Sequence, residues 1–251
     1  MSWFEDKVAV VTGAGSGIGK ASATRLANGG ASVVVADIAT DAGKETVEEI
    51  EAGGGEATFV ETDVSDEDAV ASLIDKIENT YGSLDVAHNN AGITGNIDSV
   101  EELNIDEWQQ MLDINLTGVV QMMKYEIPLM LEDGGGSIIN TASSAALGGG
   151  NSPLPYTASK HGVLGATRVA AVQYATEGIR ANAICPTTVD TPLLDGLSDE
   201  AIEQFTQHIP MDRMCQPEEV AAAVAWLGSD ESSFVTGDRL LLDGGRFASV
   251  E

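Results

Sequence analysis

Basic residues are scarce in this chain: 12 lysines and arginines stand against 40 aspartates and glutamates, a formal net charge of −28. The few that exist form no cluster. Such a surface repels nucleic-acid phosphates and anionic lipid, so neither is expected as a partner. Cysteine is nearly absent. Cys185 and Cys215 are widely separated and form no CxxC, which implies reduced thiols rather than a disulfide framework. The three histidines, His88, His161 and His208, show no ligand spacing, so no metal is expected. No run reaches the roughly 20 apolar residues of a membrane span. The opening MSWFEDKVAVVTG has no apolar stretch preceded by positive charge, so a cytoplasmic location is expected and a secretory signal is not. The acid excess reads either as a solvated surface or as adaptation to a high-salt cytoplasm. At about 1 M salt the Debye length falls to ~3 Å, which mutes self-repulsion, and we favour the second reading.

What the chain does have is enough apolar material, 43% of 251 residues, for one sizeable core. Short β-branched runs recur at 8–11, 32–36, 57–60, 84–88, 137–141, 181–185 and 240–242. Amphipathic stretches such as 65–81, 105–130 and 156–176 lie between them. Strands alternating with helices imply an α/β fold: a single doubly wound parallel sheet of about seven strands, covered on both faces. Glycine runs at 53–55, 134–136 and 148–150 fall where loops are needed, and no composition shift marks a second domain over 1–251.

The first run leads into Thr12-Gly-Ala-Gly-Ser-Gly-Ile-Gly19, and a helical pattern follows. Gly13, Gly15, Gly17 and Gly19 allow a tight turn and close backbone approach to a pyrophosphate at a helix N-terminus. Ala21 stands after Gly19-Lys20 and offers magnesium no hydroxyl, so this is not a Walker A loop. The second run ends at Asp37, about 20 residues beyond the loop, where an acid commonly accepts the adenosine ribose hydroxyls. That carboxylate repels a 2′-phosphate, and neither Ala36 nor Ile38 is basic, which favours NAD over NADP. Further on, Tyr156-Thr-Ala-Ser-Lys160 places a phenol and an ammonium four residues apart, on one face of a helix. A cation there would favour the phenolate, the makings of a general acid or base.

These features are joined in chain order by Asp63-Val64, Asn89-Asn90-Ala91-Gly92, Asn115, Ser143 and Asp243-Gly244-Gly245. The set, running from about residue 5 to 247, resembles the short-chain dehydrogenase/reductase family. The resemblance implies that Tyr156 exchanges a proton with the substrate oxygen. Lys160 would lower the Tyr156 pKa and bind the nicotinamide ribose, and Ser143, with Ser144 as alternate, would orient the substrate oxygen. Asn115 would hold a water linking Lys160 to solvent. It further implies cofactor contacts from Gly13, Gly15, Ser16, Gly17, Ile18 and Gly19. Others would come from Asp37, Asp63, Val64, Asn89, Ala91, Gly92, Pro186, Val189 and Thr191. No metal is implied, and a homotetramer is.

Thr187 stands after Pro186 where relatives usually have glycine, which restricts that loop. Residues 193–214, with Leu193, Leu194, Phe205, Ile209, Met211 and Met214, read as a substrate lid or as simple packing of a lid helix. Gly148–Gly150, Asn151 and Leu154 are expected on the opposite wall. The expected activity is hydride transfer between NAD and a secondary alcohol or its ketone: a cyclic alcohol, a diol or a sugar. The chain looks most like the cyclic-diol and glucose dehydrogenases of the family. Two rivals are a 3-oxoacyl thioester reductase, which Asp37 and the net charge oppose, and a non-catalytic dinucleotide-binding regulator, which the retained tetrad opposes.

Overall fold

The computed structural model describes residues 3–149, 152–194, 203 and 206–248. Seven strands form one sheet: β1 (Val8–Thr12), β2 (Ser32–Asp37), β3 (Glu56–Glu61), β4 (Val86–Asn89), β5 (Gly136–Thr141), β6 (Ile179–Pro186) and β7 (Arg239–Leu242). Their order is β3-β2-β1-β4-β5-β6-β7, and every pairing is parallel.

Strand alternation sorts side chains between two cores. Val8 and Val10 of β1 face one, with Leu73, Met122 and Val163. Ala9 and Val11 face the other, with Leu26, Ile50 and Val224. The first core is roofed by α3 (Glu67–Tyr81), α5 (Gly118–Glu132) and α6 (Leu154–Tyr174). The second is roofed by α1 (Gly17–Asn28), α2 (Thr40–Ala52) and α7 (Pro217–Gly228). Because both faces are covered, the strands read as near-continuous apolar runs.

From β1 the chain moves to β2 and β3 on one side, then crosses to β4 on the other. This reversal opens a crevice at the carboxyl ends of β1 and β4, where open α/β sheets bind ligands. Thr12 closes its floor: its buried hydroxyl accepts from Asn90 N at 2.9 Å and Ala91 N at 3.0 Å.

All seven expected strands are present, and the helices differ at their ends. The 65–81 pattern begins at Glu67 because the Asp66 side chain caps the helix, accepting from Asp68 N and Ala69 N. The 156–176 pattern begins at Leu154, with Pro155 in the first turn, where its missing N–H costs nothing. The expected helix over 105–130 runs on to Glu132, with one irregularity inside it. A helix α4 (Ile105–Leu112) runs into a π-helical turn, Asp113–Thr117, before α5. Gly118 N reaches back to Asp113 O. Gly118 also sits against β3's successor loop, where a Cβ would come within 2.9 Å of Val64 Cγ2. Such π-bulges are frequent at functional sites.

Candidate active site

The crevice is one open cavity of about 770 Å³ that extends from Asp37 to Tyr156 and Lys160. Gly13 (φ 63°) and Gly17 (φ 50°) hold left-handed conformations that favour glycine. A Cβ on Gly13 would lie 2.9 Å from Ala91 Cα, and one on Gly19 would lie 2.0 Å from Gly13 O. The bare backbone therefore makes the cradle, and α1 starts immediately beyond it, its first N–H groups free. Asp37 is bound into the same unit: Gly15 N donates to Oδ2 at 2.7 Å and Ala39 N to Oδ1 at 2.8 Å. Asp63 folds back on Ser65, accepting from its N at 2.9 Å and its Oγ at 2.7 Å. Glycine cradle, helix start and acids fit a dinucleotide.

At the other end, Lys160 is buried, and its Nζ donates to Thr141 O at 2.7 Å and stands 5.7 Å from the Tyr156 ring centroid. Burial pushes the Lys160 pKa down to about 8. Burial pushes the Tyr156 phenol above its ordinary value, against a hydrogen bond with Ser143 that favours the phenolate. Desolvation of the phenolate is the largest influence on it. Ser143, not Ser144, meets Tyr156; its Oγ also accepts from Ala145 N at 3.1 Å.

Asn115 is fully buried in the π-helical turn. Its side chain pairs with the backbone of Ile93, accepting from N and donating to O, both at 2.8 Å. The amide thus clamps the loop after Gly92.

Ser16, Ile18, Val64, Ala91, Gly92 and Thr191 line the cavity, as the motifs imply. Gly15 and Gly19 stand in the same loop and helix start without lining it, and three others turn away. Asn89 turns its side chain into the core, onto Glu126 and Asn140. Its neighbour Asn90 faces the cavity instead, because successive residues along an extended chain point to opposite sides. Val189 is buried in the α7-side core and pairs with Cys215 across an isolated bridge. Pro186 ends β6 without reaching the cavity. Thr187 is accommodated by donating its N to Leu242 O at 3.1 Å. Gly148, Gly149 and Leu154 are exposed rather than part of that lining. Gly150, Asn151, Phe205 and the Leu193 side chain lie outside the described residues. Sequence reading missed Thr141, whose carbonyl holds Lys160; nothing in its local context distinguishes it.

Residues 13–246 match the family model described as enoyl-(acyl carrier protein) reductase. The chain is 46% identical over 241 residues to the cyclohexanol dehydrogenase of Acinetobacter sp. (strain SE19), covering 96% of this chain and 95% of that one. It is 43% identical over 242 residues to the cis-4-hydroxycyclohexanecarboxylate dehydrogenase of Sinomonas cyclohexanicum, covering 96% and 97%. The crystal structure of a short-chain type dehydrogenase/reductase from Mycobacterium marinum superposes with a TM-score of 0.92 at 33% identity, covering 97% and 96%. The chain belongs to the short-chain dehydrogenase/reductase family. As a member, it is an oxidoreductase that interconverts a secondary alcohol and its ketone with a nicotinamide dinucleotide. In this short-chain dehydrogenase/reductase, the dinucleotide cradle, Tyr156 and Lys160 share one cavity, and Ser143 joins them through its hydrogen bond to Tyr156.

Proposed function

We propose an NAD-dependent dehydrogenase acting on a secondary alcohol carried by a ring, with Tyr156 as acid and base. The observation that carries this reading is the single cavity that has Asp37 at one end and Tyr156 with Lys160 at the other. Four carboxylates, Asp37, Asp63, Asp106 and Asp113, line it, and Lys160 is its one basic lining residue among the described residues. A 2′-phosphate would meet those acids without a cation, which favours NAD over NADP. The ring preference draws on the two cyclohexane-ring dehydrogenases above.

Bound NAD supplies the hydride acceptor, and NADH the donor. Gly13 and Gly17 would hold its diphosphate by their backbone, and Asp37 its adenosine ribose. Ser143 orients the substrate oxygen against the Tyr156 hydroxyl. In reduction, Tyr156 as phenol gives its proton to the developing alkoxide. In oxidation, its phenolate takes the hydroxyl proton, and the raised phenol pKa makes that direction gain with rising pH. Lys160 stands 5.7 Å from the Tyr156 ring centroid, where its ammonium form would stabilise that phenolate.

Further readings follow from the same chain. Exposed Val169 and Val172 on α6 and Val120 on α5 support a two-fold interface in a homotetramer. The free thiols support a cytoplasmic setting, and the −28 charge supports a high-salt one. One catalytic domain with a lid near 193–214 completes the proposal.

The test is NADH formation in molar salt across cyclic alcohols, diols and sugars, with NADP in parallel and Tyr156→Phe as control. Turnover with NAD that vanishes in the variant supports the reading. Preference for NADP, or turnover that survives Tyr156→Phe, overturns it.

A further inference from the structure

On the face of the sheet roofed by α5 and α6, the core holds a carboxyl group with no cation beside it. Glu126 of α5 is fully buried. Asn89 Nδ2 donates to Glu126 Oε2 at 3.0 Å, and also to Asn140 Oδ1 at 3.0 Å. Asn140 Nδ2 donates onward to Thr167 Oγ1 at 2.9 Å, and that hydroxyl donates to Val163 O at 2.7 Å. Every donor in this chain is used. Two acceptors are left over, Glu126 Oε1 and Asn89 Oδ1, both buried and without a partner among the described residues.

The surrounding charges do not offset a carboxylate. Lys124 and Tyr125, on α5 itself, turn to Glu67 of α3 at the surface. Asp68, Asp75, Lys76 and Glu78 of α3 are exposed, as is Arg168 of α6. His88 of β4 leaves by the opposite face to meet Thr141 Oγ1 at 2.9 Å, and Lys160 of α6 is bound to Thr141 O. Arg180 of β6 is held by Leu227 O and Ser229 O. Burial and the Asn89 bond are the influences on Glu126, burial the larger, raising its pKa to about 8.

An ionised carboxylate is an acceptor only, whereas a protonated one adds an O–H donor. The two leftover acceptors belong to the two groups already joined by one hydrogen bond. A proton on Oε1 would pair both at once. We propose that Glu126 is held as the neutral acid, its Oε1–H donating to Asn89 Oδ1 opposite the Asn89 Nδ2–H to Oε2 bond, and that this closed acid–amide pair is a positioning device for the active site. Asn89 leads directly into Asn90–Gly92 of the cavity wall. Asn140 stands three residues before Ser143, and Thr167 lies two turns beyond Lys160 on α6. One pair therefore ties β4, β5, α5 and α6 behind the Tyr156–Lys160–Ser143 group, and a neutral pair does so without a charge to solvate.

The test compares the full-length protein with Glu126→Gln, which can keep both bonds of the pair, and Glu126→Leu, which keeps neither. At neutral pD the wild type should show an infrared C=O band of a protonated carboxyl that moves on 13C-glutamate labelling and is missing in E126Q. The folded acid binds a proton that the unfolded chain releases above the ordinary pKa of 4.5. Wild-type stability should therefore fall relative to E126Q as pH rises from about 5 to about 8. The positioning role rests on the dehydrogenase reading: E126Q should keep kcat within about twofold, and E126L should lose about 10-fold or more. No such band, or a flat E126Q-to-wild-type difference across that pH range, overturns the neutral pair, whatever the enzyme turns over. Equal kcat in E126L and wild type overturns the positioning role; should E126L not fold, a 10-fold kcat loss in E126Q despite an intact pair overturns it instead.

Discussion

The Gly15 amide donates to Asp37 Oδ2 at 2.7 Å, so the glycine loop and the acid proposed for the ribose are one structural unit. Asp37→Ala should then weaken NAD binding through both loop order and ribose contact. A hydrogen bond to a charged group contributes about 1.5–3 kcal/mol, which corresponds to ~10–100-fold in the NAD dissociation constant. Fluorescence titration with NADH measures it, and an unchanged constant would remove Asp37 from the site.

Gly19 admits no side chain, because a Cβ would meet Gly13 O at 2.0 Å. Gly19→Val should separate α1 from the loop. The variant should lose NADH binding before it loses the circular-dichroism signal of the sheet, and wild-type binding by Gly19→Val would contradict the close packing.

The Ser143 hydrogen bond opposes the burial that raises the Tyr156 pKa. Ser143→Ala removes that opposition, so the Tyr156 limb of the oxidation pH profile should move to higher pH. Its kcat should fall by ~100-fold, the scale of a lost proton-transfer contact. Ser144→Ala should leave the profile in place. Steady-state rates of both variants from neutral to alkaline pH decide between the two serines.

Lys160 is depressed to about 8 in the folded protein, below its ordinary 10.5. Between those values the unfolded chain binds a proton that the folded one lacks, so this residue makes stability rise with pH there. Below about 8 the buried ammonium is a cost. Lys160→Met should therefore be inactive yet more stable than wild type at pH 7. That advantage should shrink by on the order of 3 kcal/mol towards pH 10.5. Urea unfolding of both proteins across this range checks it; an advantage that grows with pH would reverse the sign.

With a net charge of −28, self-repulsion should dominate in dilute buffer. Raising KCl from about 0.05 M to molar levels should lift the thermal midpoint by ~10 °C or more, the equivalent of several kcal/mol for a chain this long. A midpoint indifferent to KCl would remove the high-salt reading.

The alternating β-branched runs and amphipathic stretches were enough to predict a parallel doubly wound sheet, because burial on both faces leaves a local signature. The glycine spacing before α1 and the four-residue interval from Tyr156 to Lys160 were equally legible, since each is a constraint within one turn or loop. Asn89 and Asn90 could not be told apart. Their opposite aims follow from where β4 ends against β1, and Thr12, 78 residues from Asn90, supplies the hydroxyl that holds it.

By itself, then, the sequence determined the layered fold, the phosphate-type loop and the residue types of the proton-transfer group, all properties of neighbours along the chain. Only the tertiary structure decided which groups lose water. It set a π-helical turn at Asn115 within the 105–130 helix, placed Lys160 on Thr141 O, raised the Tyr156 phenol by burial, and joined Asn89 to the buried Glu126. Desolvation and hydrogen-bond partnership arise between segments far apart in sequence, and no local pattern records them.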